Sequence, residues 1–520
     1  MARALHTGDR PLITKAARGH GPDGHAPAGL DPALRWLAAA VVAGAIMALL
    51  DTTIVNVAID TLGRELHSTL PTIQWVSTAY LLALALVIPL TAWAGQRFGV
   101  KRMWMLSIVL FLAGSALCGV AWSPESLIGF RVLQGLGGGM IMPLAQTILA
   151  RAAGPQRMGR AMSVIGVPMM LGPVLGPVIG GFILDNLSWR WIFYVNVPIG
   201  LVALVLARRI LPRDESSAFE RLDVVGFLLL SPGLALLIYG LSQAGSHGSL
   251  ANPATLIGTS VGLMLCVAFV VYSLRTRVKP LLDMRLFANR HFSAAGATAF
   301  LFGISLFGVM LLLPLYYQIV RGSSPLEAGL LLAPQGLGAA AAMPIAGRLT
   351  DRFGAGRIVP PGLLLALAGT LAYTQVGAHT SYLLLAAALV VRGFGLGSTM
   401  MPSMAAAYQT LEHHQVPEAA PTLNIVRQAG GSVGTALLAV VLTRYIRSYV
   451  PALGGGLSQV NSRATSPLVR EHVAAPIAHA FANTFWVAFA LTALALIPAL
   501  ALPRHTSSRS QATAGATQVE

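Results

Sequence analysis

The chain has 520 residues, of which 55% are hydrophobic and only 10% charged, and its mean hydropathy is +0.69. Soluble domains carry about 25% charged residues, so an ordinary soluble enzyme is excluded and a membrane protein is indicated. With 54 Gly, 31 Pro and 7% aromatic residues, the composition suits closely packed, bent helices and not the alternating polarity of a β-barrel.

Residues 1–35 mix Pro, Gly, His and charges without an apolar core, so they read as a cytoplasmic tail and not as a cleavable signal. Beyond them, apolar runs long enough to cross about 30 Å of hydrocarbon predict seven helices at 36–57, 73–94, 103–122, 126–149, 161–184, 190–207 and 223–242. Seven more follow at 254–274, 292–316, 325–346, 358–376, 381–403, 424–446 and 482–502. The expected fold is therefore an all-α membrane protein with fourteen transmembrane helices. A net charge of +16 raises nucleic acid as a partner, but with the amino terminus inside, 26 of the 35 Lys and Arg fall on the inner side. That bias is the positive-inside signature. It places both termini in the cytoplasm and turns the basic loops toward anionic lipid rather than nucleic acid. Cys118 and Cys266 lie inside apolar runs and are too few for a disulfide framework.

Asp51 is the one acid deep in any predicted span, about 22 Å from the inner end of the first at 1.5 Å per residue. A carboxylate there costs on the order of 3 kcal/mol on insertion scales, so it must hold a proton or a partner. Proton coupling is the expected duty, with a structural ion pair as the alternative. Arg131, roughly 8 Å inside the outer end of the fourth span, lies at a matching depth and is the expected partner; its alternative is to bind backbone carbonyls beside Gly135–Gly139. In the fifth span Gly172, Gly176 and Gly180 recur every fourth residue, with Pro173, Pro177 and Gly181 among them. This is a smooth face that allows close helix approach, broken by residues without a backbone donor. A hinge or seal between two halves is expected there, against simple packing.

The chain also repeats itself. The loop after the second span reads Ala92 to Arg102, with Gln96, Arg97, Phe98, Gly99, Lys101 and Arg102; the loop after the tenth reads Gly347 to Arg357, with Asp351, Arg352, Phe353, Gly354 and Arg357. Arg131-Val-Leu-Gln134-Gly135 in the fourth span is likewise echoed by Arg392-Gly393 in the twelfth. Two six-helix halves follow, at 36–212 and 291–503, with an inserted helix pair and its cytoplasmic loops at 213–290 and a cytoplasmic tail at 504–520. Such a repeat is natural to alternating access about a midplane site. Arg97, Lys101 and Arg102, set opposite Asp351, Arg352 and Arg357, are expected to act as cytoplasmic gate contacts. Asn56, Tyr80, Gln134, Met169, Met170 and Gln335 are the candidate cavity residues, with Trp75, Tyr316, Tyr317, Phe485 and Asn424 behind them. The sequence has no GxxxxGK[ST] phosphate loop, so the driving force is expected to be ionic. The twelve His, including His413-His414, lack metal-site spacing, and no metal or cofactor is expected.

Taken together, Leu50-Asp51-Thr52-Thr53-Ile54-Val55-Asn56, Arg131 to Gly139, Gly172-Pro173 to Gly180-Gly181, Trp189 to Gly200 and Arg427-Gln428-Ala429-Gly430-Gly431 resemble the major facilitator superfamily, in its fourteen-helix drug/proton antiporter branch of the EmrB/QacA type. The resemblance covers nearly everything from 36 to 503. It implies a non-enzymatic exporter in the bacterial inner membrane that expels small lipophilic, often cationic, drugs in exchange for protons, without a cofactor. It also implies proton coupling at Asp51 and Arg131, an antiporter hinge at the fifth-span glycines and prolines, and, in double-membraned bacteria, a periplasmic adaptor as partner. Gln96, Ala92 and Val100 depart from the family pattern of the first loop. Export of an endogenous metabolite or self-made antibiotic is the second reading. An intramembrane enzyme or sensor is a remote third, since no convergent His, Ser and acid groups appear.

Overall fold

The computed structural model describes residues 32–154, 157–212, 214, 221–247, 252–409, 411–412, 415–450 and 467–504. The tails at 1–31 and 505–520 and His413-His414 lie outside the described residues. In chain order the helices are α1 (Pro32–Glu65), α2 (Leu70–Val87 and Leu90–Phe98), α3 (Val100–Gly119), α4 (Pro124–Ala153), α5 (Met158–Asn186), α6 (Trp191–Tyr194 and Asn196–Ile210) and α7 (Val224–His247). They continue as α8 (Pro253–Arg275), α9 (Arg290–Leu315), α10 (Pro325–Leu331 and Ala333–Phe353), α11 (Ala355–Leu371), α12 (Tyr382–Gln409), α13 (Val416–Tyr449) and α14 (Pro467–Leu494 and Leu496–Ala499).

Twelve helices among the described residues are long and apolar enough to cross a membrane, and up to fourteen if each of two bent pairs is one span. Both bends fall at prolines. α2 turns by 57° after Val87, where Pro89 interrupts the backbone donors. α5 turns by 47° between Gly172 and Leu175, at Gly172-Pro173. Several starts are set by side chains: Ser123 and Ser126 form a capping box on α4, and Ser324 with Glu327 does the same on α10. The two repeated loops end alike. Gly99 (φ 95°) and Gly354 (φ 82°) each stand between two helices in the left-handed region, which only glycine enters without strain.

The helices pack in a pattern that repeats after eight. α1 packs on α5 and α6, α4 on α2 and α3, and α3 on α6; correspondingly α9 packs on α13 and α14, α12 on α10 and α11, and α11 on α14. The inserted α7 and α8 pack on each other, and α7 lies against both α2 and α13. Large buried side chains, among them Trp104, Phe111 and Tyr80 on one side and Tyr316, Tyr373 and Phe485 on the other, fill the interior, while outward faces carry residues such as Leu201, Leu263 and Leu383, as a lipid-facing surface requires.

Both ends of the described chain meet on one side of the molecule. Gly356 N–H donates to the Pro503 carbonyl, and Arg35 lines the same groove as Arg160 and Arg348. This side is called the terminal end below.

Candidate functional site

Asp51 is fully buried on α1, and the expected partner reaches it: Arg131 of α4 places Nη1 2.5 Å from Oδ2. The second oxygen is satisfied as well. Oδ1 accepts from Gln134 Nε2 at 2.8 Å and from Asn196 Nδ2 at 3.1 Å. Asn196 also donates to Ser115 Oγ, which donates to the Phe193 carbonyl. Arg131 Nη1 donates to Gln134 Oε1 at 2.6 Å and its Nε to the Val76 carbonyl at 3.2 Å, so it holds both a carboxylate and a backbone oxygen. The Tyr80 ring lies 4.1 Å from the guanidinium carbon. Both carboxylate oxygens are thus met, which is what a buried ion pair requires to offset its desolvation. Removing one partner typically costs about 3–5 kcal/mol.

Tyr80 has a second face, on a cavity of about 230 Å³ between the two halves. Thr52, Thr53, Tyr80, Met169 and Met170 line it from one half, and Phe307, Gln335, Asn424 and Arg427 from the other. Four candidate cavity residues, Tyr80, Met169, Met170 and Gln335, therefore lie together, joined by Asn424. Two do not. Gln134 is withdrawn behind Tyr80 to complete the Asp51 cluster, because its amide satisfies both members of the ion pair; Asn56 is exposed on α1 and accepts from Ser77 Oγ at 3.2 Å. Trp75 is exposed and stacks on Tyr239, while Tyr316, Tyr317 and Phe485 pack in the second core.

The glycine face of α5 is turned differently from expectation. A side chain at Gly172 would meet Leu49, at Gly176 Thr53 and at Gly180 Ile54, so the three glycines seat α5 on α1 inside its own half. The contact with the other half is made by different residues. Gly159 faces Gly347, Gly166 faces Met343 and Met401, Pro177 lies beside Gly329 and Gly181 beside Leu326. Small side chains serve both faces because α5 is squeezed between α1 and α10. The side chain of Pro173 lies outside the described residues.

In the described contacts the two repeated loops are tied to other segments. Asp351 accepts from Gly159 N at 2.7 Å, from Arg160 N at 3.3 Å and from Arg160 Nε at 2.8 Å, locking α10 onto the start of α5. A carboxylate at a helix N-terminus with an Arg beside it is favoured by unpaired N–H groups and dipole alike. Lys101 N and Arg102 N instead donate to Asp214, in the segment after α6, at 2.8 and 3.1 Å, and Lys101 Nζ to the carbonyls of Arg208 and Leu211. Arg97 and Arg352 lie against the neighbouring rings of Phe98 and Phe353, and Arg357 is exposed. At the place equivalent to Asp351, Gln96 Nε2 donates to Glu418 Oε1 at 3.4 Å. Lys279, from the segment after α8, reaches Gln96 Oε1 at 2.9 Å and Glu418 Oε1 at 3.1 Å.

Deeper, Gln146 of α4 accepts from Tyr408 Oη at 3.2 Å and from Asn424 Nδ2 at 2.6 Å, another buried tie across the halves. The terminal end is closed at all three places. Asn196, Gln146, Arg160, Glu418 and Lys279 were missed as site residues by sequence reasoning. Gln146 carried a signal, being a lone amide in an apolar stretch of α4, and so did Asn196 inside the sixth predicted span; the others look like ordinary cap or loop residues until the helices are placed.

A sequence profile of the Major Facilitator Superfamily matches residues 41–435. The chain is 42% identical, over 97% of its length and 97% of the relative's, to a multidrug resistance protein B homolog of Mycobacterium tuberculosis. It is 32% identical, over 82% of this chain and 86% of the other, to the multidrug export protein EmrB of Haemophilus influenzae. Among solved structures the proton:xylose symporter XylE superposes with a TM-score of 0.59 at 12% identity, covering 89% of this chain and 94% of that one, a likeness of fold alone.

Proposed function

The chain belongs to the major facilitator superfamily, and from that premise we propose that it is a proton-coupled exporter of small lipophilic compounds in a bacterial inner membrane. Export of drugs is supported by the names of its relatives, multidrug resistance and multidrug export proteins that match along most of its length. Proton coupling is supported above all by the Asp51 cluster, an acid–base pair buried one side chain away from the central cavity. Tyr80 stands between them, touching Arg131 on one face and the cavity on the other. A substrate that displaces Tyr80 or pulls on Thr52 disturbs the Asp51–Arg131 pair, and a proton delivered to Asp51 releases Arg131 to its remaining acceptors, Gln134 and the Val76 carbonyl. Each event favours a different arrangement of α1 against α4, which is the coupling an antiporter needs.

With both termini cytoplasmic, the closed terminal end is the cytoplasmic one. The cycle then opens it to load substrate and closes it, as here, before release. The fourteen-span arrangement follows if α2 and α5, bent as they are, each cross once.

In inverted vesicles with an imposed proton gradient, the parent accumulates a fluorescent lipophilic probe and Asp51→Asn does not. Gradient-free exchange of the same probe persists in Asp51→Asn, which separates lost coupling from a misfolded protein. Gradient-driven accumulation that survives the substitution overturns the role of Asp51.

A further inference from the structure

Asp51 and Arg131 neutralise one another, so the charge that a substrate meets is set by whatever else lines the cavity. Among the described lining residues there is no Asp or Glu, and the one ionisable cation is Arg427 of α13. Arg427 is 7% exposed. Its Nη2 donates to Asn424 Oδ1 at 3.1 Å, its guanidinium lies 6.0 Å from the Phe307 ring centroid, and its Nε has no hydrogen-bond partner. No carboxylate among the described lining residues pairs with it. A second cation lies close behind: buried Arg392 donates through Nη1 to Gln335, a lining residue, and its Nη2 is likewise unsatisfied. A buried guanidinium with an unmet N–H is costly unless an anion or acceptor completes it, and Arg427 lines a chamber whose other walls include Met169, Met170, Met310 and Phe307.

We propose that the central cavity selects lipophilic organic anions, with Arg427 holding the anionic group and the Met and Phe walls the apolar body. Asn424 positions the guanidinium and ties it, through Gln146, to the closed terminal end. Arg427 is then the specificity-determining residue. The inference rests on the export reading and deepens it; it departs from the cationic drugs that the family likeness implies. A cation in the same place meets like charge from Arg427 in a medium that screens poorly.

The test uses the full chain in proteoliposomes with an imposed proton gradient and three probes that share the dansyl fluorophore: dansylglycine (a carboxylate), dansylamide (neutral) and a dansyl trimethylammonium. Dansylglycine is expected to move at least tenfold faster than the ammonium probe. Arg427→Gln abolishes that preference and Arg427→Lys keeps part of it, while Asp51-dependent coupling persists for the neutral probe. If Arg427→Gln does not fold, the parent's probe ratio and Arg427→Lys still decide. An ammonium probe moved as fast as the carboxylate, or a preference unchanged in Arg427→Gln, overturns the anion site and leaves the export reading standing. Failure of the parent to move any of the three overturns export, and the inference with it.

Discussion

The two seams where the halves meet at the terminal end descend from the same repeated loop and are closed by different means. At one, α10 lies directly on α5. Gly347 faces Gly159 with no side chain between them, and Asp351 takes two backbone N–H groups and Arg160. At the other, α2 meets α13 and the inserted α7 packs against both. Ala92, the counterpart of Gly347, packs among Leu230, Leu234 and Phe269 of the inserted pair, and Gln96, the counterpart of Asp351, shares Glu418 with Lys279. Ala92 and Gln96, which stand where the second loop has Gly347 and Asp351, thus share one physical setting. With the inserted pair packed along this seam, a side chain at 92 has something to pack against. Glu418 supplies a negative charge at the start of α13, and a second carboxylate at 96 would repel it, so an amide is the fitting neighbour. The inserted pair supplies the missing cation as Lys279. A repeat preserves geometry; the charges that use it adapt to what lies next door.

The comparison breaks most readily at Gly347. An added methyl there would meet Ser163 Oγ, which can rotate away, and the Gly159 carbonyl, which gives way only if α5 moves. Overpacking of this kind costs about 1–3 kcal/mol, so Gly347→Ala is expected to shift the population away from the closed terminal end by roughly fivefold or more. Ala92→Ser, at the filled seam, is expected to stay within about 1 kcal/mol, its hydroxyl able to bond its own helix. Distances between spin labels placed across each seam measure both. An equal shift from the two substitutions would show that filling does not relieve the second seam.

A smaller contrast separates the two charge ties. The Asp351 side chain is 4% exposed and accepts charge-assisted hydrogen bonds, worth about 1.5–3 kcal/mol each to a charged group. Asp351→Asn should therefore open the terminal end visibly and lower the transport rate. Lys279 is 51% exposed, so its pair with Glu418 contributes at most about 1 kcal/mol and weakens with salt. Lys279→Gln should have an effect that disappears in high salt, and the Asp351→Asn effect should not.

Much of this arrangement was legible in the sequence. Apolar run lengths located every long helix, because a membrane imposes a fixed thickness on each crossing. Matching depth alone brought Asp51 and Arg131 together, since two helices that cross the same slab share a depth scale. Depth says nothing about azimuth, however, and that is where the reading failed. It could not tell that Gly172, Gly176 and Gly180 face α1 while Gly159 and Gly166 face the other half, nor that Gln134 turns inward to Asp51 and not toward the cavity. Partners such as Glu418 and Lys279, far from Gln96 along the chain, are joined to it only by packing, which no local pattern carries.

The finest test asks whether Lys279 and residue 96 are coupled as the geometry requires. In the parent, Lys279 reaches Gln96 Oε1 at 2.9 Å and Glu418 Oε1 at 3.1 Å, so Gln96→Asp would set two carboxylates around one ammonium. With Lys279 in place the new acid gains a cation near where the amide oxygen now sits, and its repulsion from Glu418 is offset; the substitution should be close to neutral. In a Lys279→Gln background the same change leaves the introduced carboxylate and Glu418 facing each other with no lysine between, and the filled seam should open. The coupling energy is expected to be about 0.5–1 kcal/mol, larger at low salt, which is the range of contacting residues in a double-mutant cycle and not of independent sites. Closure measured by spin-label distance for the parent, the two single variants and the double variant gives that energy directly. Additive effects would mean that the inserted pair holds the seam by its apolar packing on Ala92 alone, and that the charges at its mouth are solvated bystanders.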